Sequence, residues 1–274
     1  MSRFATRRLR NGLAGLLAMA LLWTVVELRG LTMQDSGRLT GWLLVAALVV
    51  LGAYNLRKKL PVLPLGDSAS WLQLHLYLGL VTALLFFLHG GWGLPDGPLE
   101  ILLWGLVLGL LVTGIFGLAL SRLAPAALTW HGERVIHERI PQLRRRLADE
   151  VEELVTRAVE ETSSGTLAGY HVNVLKRYFA RPRHRWYHLV RSKRPLRHLC
   201  REIEALKRYL GPGDRAVLDE IEARIVAKDN LDFQETWQGL LKGWLFLHVP
   251  LTYATLVMVP LHVVLAYAFG AGRP

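Results

Sequence analysis

The chain contains very little cysteine. Cys200 is the one cysteine among 274 residues, so no disulfide can form within the chain. Covalent attachment of a c-type haem requires a C-x-x-C-H motif, and an iron–sulfur cluster requires several thiolates, so this chain alone can hold neither group. We interpret Cys200 as a buried or half-buried helix residue whose role is packing.

Acidic residues are also scarce. The chain has 33 Lys and Arg against 22 Asp and Glu, and ten basic residues but no acidic one lie between Lys176 and Arg201. No nucleic-acid-binding module and no glycine-rich nucleotide motif accompanies this charge, so we expect no nucleic-acid partner. The basic stretch is interpreted as a surface that faces water or anionic membrane lipid, and a docking surface for an acidic partner is the alternative.

Long apolar runs, in contrast, are abundant. The chain is 52% hydrophobic with a mean hydropathy of +0.27, and five runs are long enough to cross a bilayer. They lie at about 11–28, 39–56, 72–90, 99–120 and 243–268. The sequence therefore predicts an all-α membrane protein with five transmembrane helices.

A polar region separates the fourth apolar run from the fifth. We divide the chain into transmembrane helices one to four at 1–120, a basic helical cytoplasmic domain at 121–242 and the fifth transmembrane helix at 243–274. Helical periodicity in the inserted domain predicts helices over about 136–161, 201–210 and 214–228.

The distribution of positive charge predicts the orientation. The arginine-rich segment 1–10 precedes the first run, which shows no convincing cleavage site before Glu27, so we expect a retained helix with a cytoplasmic N-terminus. Basic residues at 57–59 close the second helix on the same side, and the loop at 90–98 has no Lys or Arg. These features favour a multi-pass protein of the bacterial inner membrane with its C-terminus outside. Asp67 or the following serine is expected to cap the third helix.

One apolar stretch occurs twice. The segments WLQLHLYLGLVTALLFFLH at 71–89 and WLFLHVPLTYATLVMVPLH at 244–262 align without a gap, and each carries two histidines fourteen positions apart. Along an α-helix that spacing advances about 21 Å and returns to within about 40° of the same face. Each helix therefore presents its two histidines on one side, at two depths within a hydrocarbon core about 30 Å thick.

The topology predicts how these histidines pair. Both helices run outward, so His75 should face His248 near the cytoplasm, and His89 should face His262 near the outer surface. Facing imidazoles in a helical bundle suit the two axial positions of a haem iron. The alternatives are histidines that pack against neighbouring helices, or a metal such as zinc, whose tetrahedral site two imidazoles would leave incomplete. We expect a four-helix bundle that binds two haem b groups without covalent attachment.

Other residues near the predicted spans have weaker assignments. Thr82 and Thr255 are candidates for hydrogen bonds to the histidine ligands. The glycines of the fourth helix indicate either close helix packing or room for a porphyrin; they are Gly105, Gly109, Gly114 and Gly117. Candidate cationic partners of haem propionates are Arg57, Lys58, Lys59 and Arg122 on the inner side and Arg29 and Arg38 on the outer side.

The remaining histidines lie in the polar region. They are His131, His137, His171, His184, His188 and His198. We expect solvated or partner-facing roles for them. The spacing from His184 to His188 would suit a metal on one helix face, but Pro182 and Pro195 bracket the segment and disfavour a long helix there.

Two helices that each carry H-x13-H resemble the di-haem cytochrome b architectures. These include the b subunit of quinol:cytochrome c oxidoreductases and the transmembrane domain of ferric reductases and NADPH oxidases, where the ligands lie on the third and fifth helices, as they do here. The resemblance covers 71–89 and 244–262 and implies that the four histidines are axial haem ligands. The chain lacks the P-E-W-Y quinol-site motif and any flavin or nicotinamide domain, and the region between helices four and five is longer than in either family.

These features predict an electron-transfer subunit of a membrane oxidoreductase complex. Two haems b would connect a quinol or cytoplasmic donor to a redox partner on the outer face, such as a c-type cytochrome or an iron–sulfur protein, and quinone is a further candidate cofactor. One alternative is a stand-alone quinol or metal reductase. Another is a haem-free membrane scaffold that recruits partners through its basic cytoplasmic domain.

Overall fold

The computed structural model describes residues 3–31, 36–59, 67–91, 93–95, 97–129, 135–162 and 165–269, and every regular element within them is helical. The α-helices are α1 (Arg3–Leu31), α2 (Ser36–Lys59), α3 (Ser68–Gly90), α4 (Pro98–Thr129), α5 (Ile140–Thr162), α6 (Gly165–Tyr170), α7 (Lys176–Ala180), α8 (Arg185–Leu189), α9 (Arg194–Lys207) and α10 (Pro212–Phe269). A 3-10 turn at His137–Arg139 precedes α5, and a π-helical turn at His171–Leu175 joins α6 to α7.

Five helices are long and apolar enough to cross a membrane. The apolar segments are Arg10–Arg29 of α1, Gly37–Asn55 of α2, Ser68–Gly90 of α3, Pro98–Pro125 of α4 and the C-terminal part of α10. The prediction of an all-α, multi-pass membrane protein is confirmed at this level. A large share of the apolar side chains of these helices is exposed, as a lipid environment requires.

The chain divides into two compact units. The membrane unit comprises Met1–Leu118 and Trp244–Pro274, and the polar unit comprises Ala119–Gly243. Helices α4 and α10 each contribute to both units.

Within the membrane unit, α2 contacts both α3 and α10. The Asn55 amide donates to the Tyr253 hydroxyl of α10 at 2.9 Å, and the Tyr54 ring lies 5.1 Å from the His75 ring of α3. A Cβ added at Gly52 would lie 2.7 Å from a methyl group of Leu256. This glycine therefore allows α2 and α10 to approach closely.

Helix α4 contacts the same two helices. Its Trp104 ring lies 6.4 Å from the Phe86 ring of α3, and Gly109 faces Leu251 of α10. Helix α1 lies against α3, where the Asn11 amide donates to Gln73 at 2.8 Å.

Helix α3 begins at a side-chain cap, as predicted. The Asp67 carboxylate accepts hydrogen bonds from the Ser70 amide at 3.1 Å and from the Ser70 hydroxyl at 2.7 Å. The carboxylate thereby satisfies a backbone N–H that has no partner within the helix.

In the polar unit, amphipathic helices enclose a hydrophobic core. Leu218, Ile221 and Ile225 of α10 recur at helical spacing, are fully buried and share the core with Val151 of α5 and Ile203 of α9. The predicted helix over 136–161 corresponds to the 3-10 turn and α5, whereas the one predicted over 201–210 begins earlier, at the start of α9.

One helix prediction was wrong. The sequence predicts separate helices over 214–228 and 243–268, but α10 runs from Pro212 to Phe269 without a break. The intervening residues contain no proline and one glycine, Gly239. Leu231 and Trp237 continue the buried side there, so neither helix propensity nor packing ends the helix.

Charged side chains are also buried beside this core. Lys228 is fully buried, and its ammonium group lies 2.5 Å from the Asp232 carboxylate, 3.1 Å from the Arg181 carbonyl and 4.0 Å from the centre of the Tyr178 ring. Arg144 lies 3.4 Å from Asp232 and 2.5 Å from Glu235. Since a buried charge without a partner is costly, this network ties α10 to the segments packed on it.

Cys200 lies half-buried on α9, as predicted. Burial and the neighbouring Glu222 carboxylate raise the pKa of its thiol to about 11. At pH 7.5 the thiolate fraction of an unfolded cysteine, whose pKa is about 8.5, is roughly 300 times that of folded Cys200. A thiolate of lower pKa is also a weaker nucleophile, which reduces this difference in reaction rate about tenfold.

We therefore expect an aromatic disulfide reagent to react roughly 30-fold more slowly with the folded chain than with the unfolded chain at pH 7.5. The reaction of the folded chain should keep accelerating as the pH rises towards 11, whereas that of the unfolded chain should level off above about 8.5. Release of the coloured thiol measures both rates. Equal rates at pH 7.5 would contradict the assignment.

Candidate functional site

The four histidines of the repeated stretch lie in two facing pairs. The first pair is His75 and His248, whose ring centroids are 6.4 Å apart with an angle of 77° between the ring planes. The second pair is His89 and His262, also 6.4 Å apart, with an angle of 88°. In both pairs one member is on α3 and the other is on α10.

The separation within each pair falls in the range of edge-to-face ring contact, and it is longer than a direct hydrogen bond between the two rings requires. A hydrogen bond between two imidazole nitrogens would hold the ring centres about 5 Å apart. Two metal–nitrogen bonds of about 2 Å, with each nitrogen about 1 Å from its ring centre, place the centres about 6 Å apart. The observed 6.4 Å therefore fits one metal ion between the two rings.

The Nδ1 atom of His89 is held by the first turn of α2. It lies 3.1 Å from the Gly37 carbonyl oxygen and 3.2 Å from the Thr40 hydroxyl. A carbonyl oxygen can only accept, so Nδ1 carries the proton and donates. The lone pair of Nε2 then remains for a metal, which is the usual arrangement of a histidine ligand.

The Nδ1 atom of His248 has an equivalent partner on α4. It lies 2.8 Å from the Thr113 hydroxyl, which is itself 2.7 Å from the Gly109 carbonyl. The hydroxyl donates to that carbonyl and accepts from His248, so Nε2 is again the available ligand atom. Trp244 stacks on the His248 ring at 5.5 Å and donates its indole N–H to the Thr113 carbonyl at 2.8 Å.

The two threonines suggested by the sequence do not have this role. Thr82 and Thr255 are buried, but their hydroxyls donate to the Leu78 and Leu251 carbonyls of their own helices. Thr40 and Thr113 lie on α2 and α4, outside the repeated stretch, and sequence reasoning missed them. The sequence feature that could have indicated these two threonines is weak: each is a polar residue within an apolar run.

Glycines let neighbouring helices approach these rings. A Cβ added at Gly41 would lie 2.9 Å from the His89 ring. One added at Gly117 would lie 2.1 Å from the Trp244 indole, whereas one at Gly114 would be 4.0 Å from the His248 ring and one at Gly105 would meet nothing within 4 Å. The fourth-helix glycines thus serve close packing most clearly at Gly117.

The basic residues that the sequence suggests as partners of haem propionates lie in different parts of the chain. The side chains of Arg57, Lys58 and Lys59 lie outside the described residues. Arg38 is exposed and directly follows Gly37, so it lies on the turn that holds the second pair. Arg29 lies in the last turn of α1, and Arg122 belongs to the polar unit.

The described histidines of the polar unit do not come together in a second metal-binding cluster. His188 is buried with a ring nitrogen 3.8 Å from the Asp229 carboxylate, so the expected solvated role is wrong for it. His184 has a left-handed backbone with φ of 60°, ahead of the five-residue helix α8, and burial lowers its pKa. His198 is exposed beside Glu202, and His131 lies outside the described residues.

Three acidic side chains also converge in the polar unit. Carboxylate oxygens of Glu204, Asp219 and Glu222 lie close together. The Lys207 ammonium occupies their centre, at 2.5, 2.6 and 3.0 Å respectively, and these carboxylates raise the pKa of that lysine. The cluster is therefore an ion-pair network whose central position is already filled by a cation.

No protein-family model, curated protein or solved structure matches this chain.

Proposed function

We propose that the protein is a membrane-bound di-haem b-type cytochrome that transfers electrons across the bilayer as a subunit of an oxidoreductase complex. The observation that carries the proposal is the equal 6.4 Å separation of the two histidine pairs. The threonine and carbonyl partners of His89 and His248 support it, because they direct Nε2 of each ring towards a metal.

The helix contacts favour a four-helix bundle around the pairs. Helices α3 and α10 supply the ligands, while α2 and α4 each contact both of them and hold the rings through Thr40 and Thr113. The histidines of each helix are fourteen positions apart, so the two sites lie about 21 Å apart along the bundle. That span covers most of a hydrocarbon core about 30 Å thick.

A haem b held by the two histidines of each pair would supply one-electron transfer. The chain would bind and orient each group through its histidines. Leu85 and Phe86 of α3 and Val107 of α4 are buried, with less than 8% of their surface exposed. We place the protein in the bacterial inner membrane, with a quinol or cytoplasmic donor and an outer-face partner such as a c-type cytochrome or an iron–sulfur protein.

The decisive experiment is the haem content of the purified protein. A pyridine haemochrome assay and a reduced-minus-oxidised spectrum should show two b-type haems per chain, and His198→Ala should leave both in place. Protein without a Soret band would refute the proposal and favour the haem-free scaffold. Quinol-dependent reduction by the isolated chain, abolished by a quinone-site inhibitor, would instead favour a stand-alone quinol reductase.

Removal of the Thr113 hydroxyl tests the orientation of the first pair. Thr113→Val keeps the side-chain shape but leaves His248 Nδ1 without its acceptor, so we expect roughly 10- to 100-fold weaker haem retention at this pair. Competition with apomyoglobin measures the retention of each haem. Thr255→Val is the matched control, because that hydroxyl contacts its own helix. Equal loss in both variants would contradict the assignment.

Gly41→Ala tests the second pair in the same assay. The new Cβ would lie 2.9 Å from the His89 ring, which must then shift away from α2. We expect selective loss of the haem bound by His89 and His262. Gly79→Ala on α3 is the control, because its Cβ would meet nothing within 4 Å. Unchanged content of both haems in Gly41→Ala would show that this close approach does not position the ligand.

A further inference from the structure

Helix α8 and its C-terminal cap present a strip of exposed apolar side chains. Trp186 is 72% exposed, Val190 56% and Tyr187 42%. Trp186 and Val190 are four residues apart, so they lie on about the same side of this turn. A contiguous patch of exposed apolar side chains marks an interaction surface, and the ring of tryptophan is well suited to the boundary between water and lipid.

Two contacts fix this strip to the ends of the membrane-crossing helices. The Arg191 guanidinium donates to the Leu123 carbonyl at 2.8 Å, and Leu123 lies near the end of the apolar segment Pro98–Pro125 of α4. The Trp237 indole donates to the His188 carbonyl at 3.2 Å, and Arg191 lies 5.5 Å from the centre of the Trp237 ring.

Trp237 also lies near the end of an apolar segment. It lies six residues before the apolar run at 243–268, along the same continuous helix, which corresponds to about 9 Å. Leu123 and Trp237, which these two contacts join to the strip, therefore each lie within one or two helical turns of the place where an apolar segment begins or ends. This is the level at which lipid headgroups surround a membrane protein.

The chain segment that carries the strip has charge of one sign. No acidic residue occurs between Lys176 and Arg201. After Val190 the chain enters α9, where Arg194, Arg197, His198 and Arg201 line a recess of about 300 Å³. All three of these arginines are exposed. Basic side chains near a membrane surface attract anionic lipids with about 1 kcal/mol each.

We propose that residues 185–201 form an interfacial anchor on the membrane that the protein spans. Trp186 and Val190 enter the headgroup region, and the arginines that follow them bind the phosphates of anionic phospholipids. The apolar strip alone would fit a second protein equally well. The attachment to the end of α4 and the absence of acidic residues from the segment itself favour lipid. The proposal does not depend on haem, so it stands or falls separately from the proposed function.

The single native cysteine makes a site-specific test possible in the full-length chain. In a Cys200→Ser background, Trp186→Cys is labelled with a polarity-sensitive fluorophore. Tyr209→Cys is the control, since Tyr209 is 84% exposed and precedes the start of α10. The first residue of α10 lies 25 residues before Trp237, a distance of about 37 Å along the helix. Both proteins are reconstituted in nanodiscs of equal parts phosphatidylglycerol and phosphatidylcholine.

We expect the label at position 186 to emit several-fold more strongly and at shorter wavelength than the label at 209. Lipids that carry a nitroxide at the headgroup should quench it, and iodide in solution should not. Replacing phosphatidylglycerol with phosphatidylcholine, or combining Arg194→Gln with Arg197→Gln and Arg201→Gln, should reduce the shift. Val190→Cys provides a second position in the same strip and should behave as position 186 does.

Iodide access at 186 equal to that at 209 would overturn the proposal. Shielding from iodide without quenching by the lipid nitroxide would also overturn it, because a protein partner or a second copy of the chain would then cover the strip. An emission shift that is the same in both lipid mixtures would refute the role of the arginines in binding anionic lipid.

Discussion

Replacing His75 and His248 together with alanine is expected to leave one haem per chain, whereas replacing His75 and His89 together is expected to leave none. The first double variant removes both proposed ligands of one site and spares the other. The second removes one proposed ligand from each site, although both residues lie on α3. Each single variant should retain one haem, because a site left with one imidazole would hold its haem more weakly.

Haem per chain, measured by the pyridine haemochrome assay on protein of equal purity, distinguishes these outcomes. The His171→Ala variant in the polar unit is the control and should retain two haems. Complete loss in the His75→Ala and His248→Ala double variant would mean that the pairs are crossed or that neither site forms without the other. Two haems retained in any of the single variants at the four positions would refute the ligand assignment.

The paired histidines were predictable because the signal is a long-range repeat with a helical period. Two copies of an apolar stretch with histidines fourteen residues apart fix which side chains share a face, whatever the neighbouring helices do. The direction in which each helix crosses the membrane then fixes the partners. Neither step requires the rotation or the distance of any other helix.

The residues that orient the histidines were not predictable in the same way. A buried threonine in a membrane helix can always donate to a carbonyl of its own helix, as Thr82 and Thr255 do. Thr40 and Thr113 also meet a histidine only because α2 and α4 are rotated to face it. Sequence periodicity does not determine that rotation, since lipid-facing and helix-facing surfaces are equally apolar.

The burial of charged residues in the polar unit was also not predictable from the sequence. Lys228 and Asp232 are four residues apart on α10, a spacing that is typical of an exposed ion pair on a helix surface. The structure buries both, because the chain segments around Arg181 and Tyr178 cover them. Sequence reasoning predicted helices here but not which charges they enclose, because that depends on contacts between residues far apart in the chain.

Replacing Asp232 with leucine is expected to destabilise the polar unit by about 3–5 kcal/mol, because Lys228 would remain buried without its closest counter-charge. Burial already lowers the pKa of Lys228, and the carboxylate opposes that shift. The double variant with Lys228→Met and Asp232→Leu should recover most of the loss, since two apolar side chains of similar volume need no partner. Arg144 would keep its contact with Glu235 in both variants.

The reactivity of Cys200 during heating reports unfolding of the polar unit in the full-length protein. The single variant should lower the midpoint by roughly 10–20 °C, and the double variant should lie close to the wild type. Glu153→Gln is the control, because it breaks the exposed Arg157 pair, which contributes less than about 1 kcal/mol. If Asp232→Leu behaves like this control, the buried network does not stabilise the unit. If the double variant is as unstable as the single one, the stabilisation comes from the hydrogen bonds to Arg181 and Arg183 and not from the paired charges.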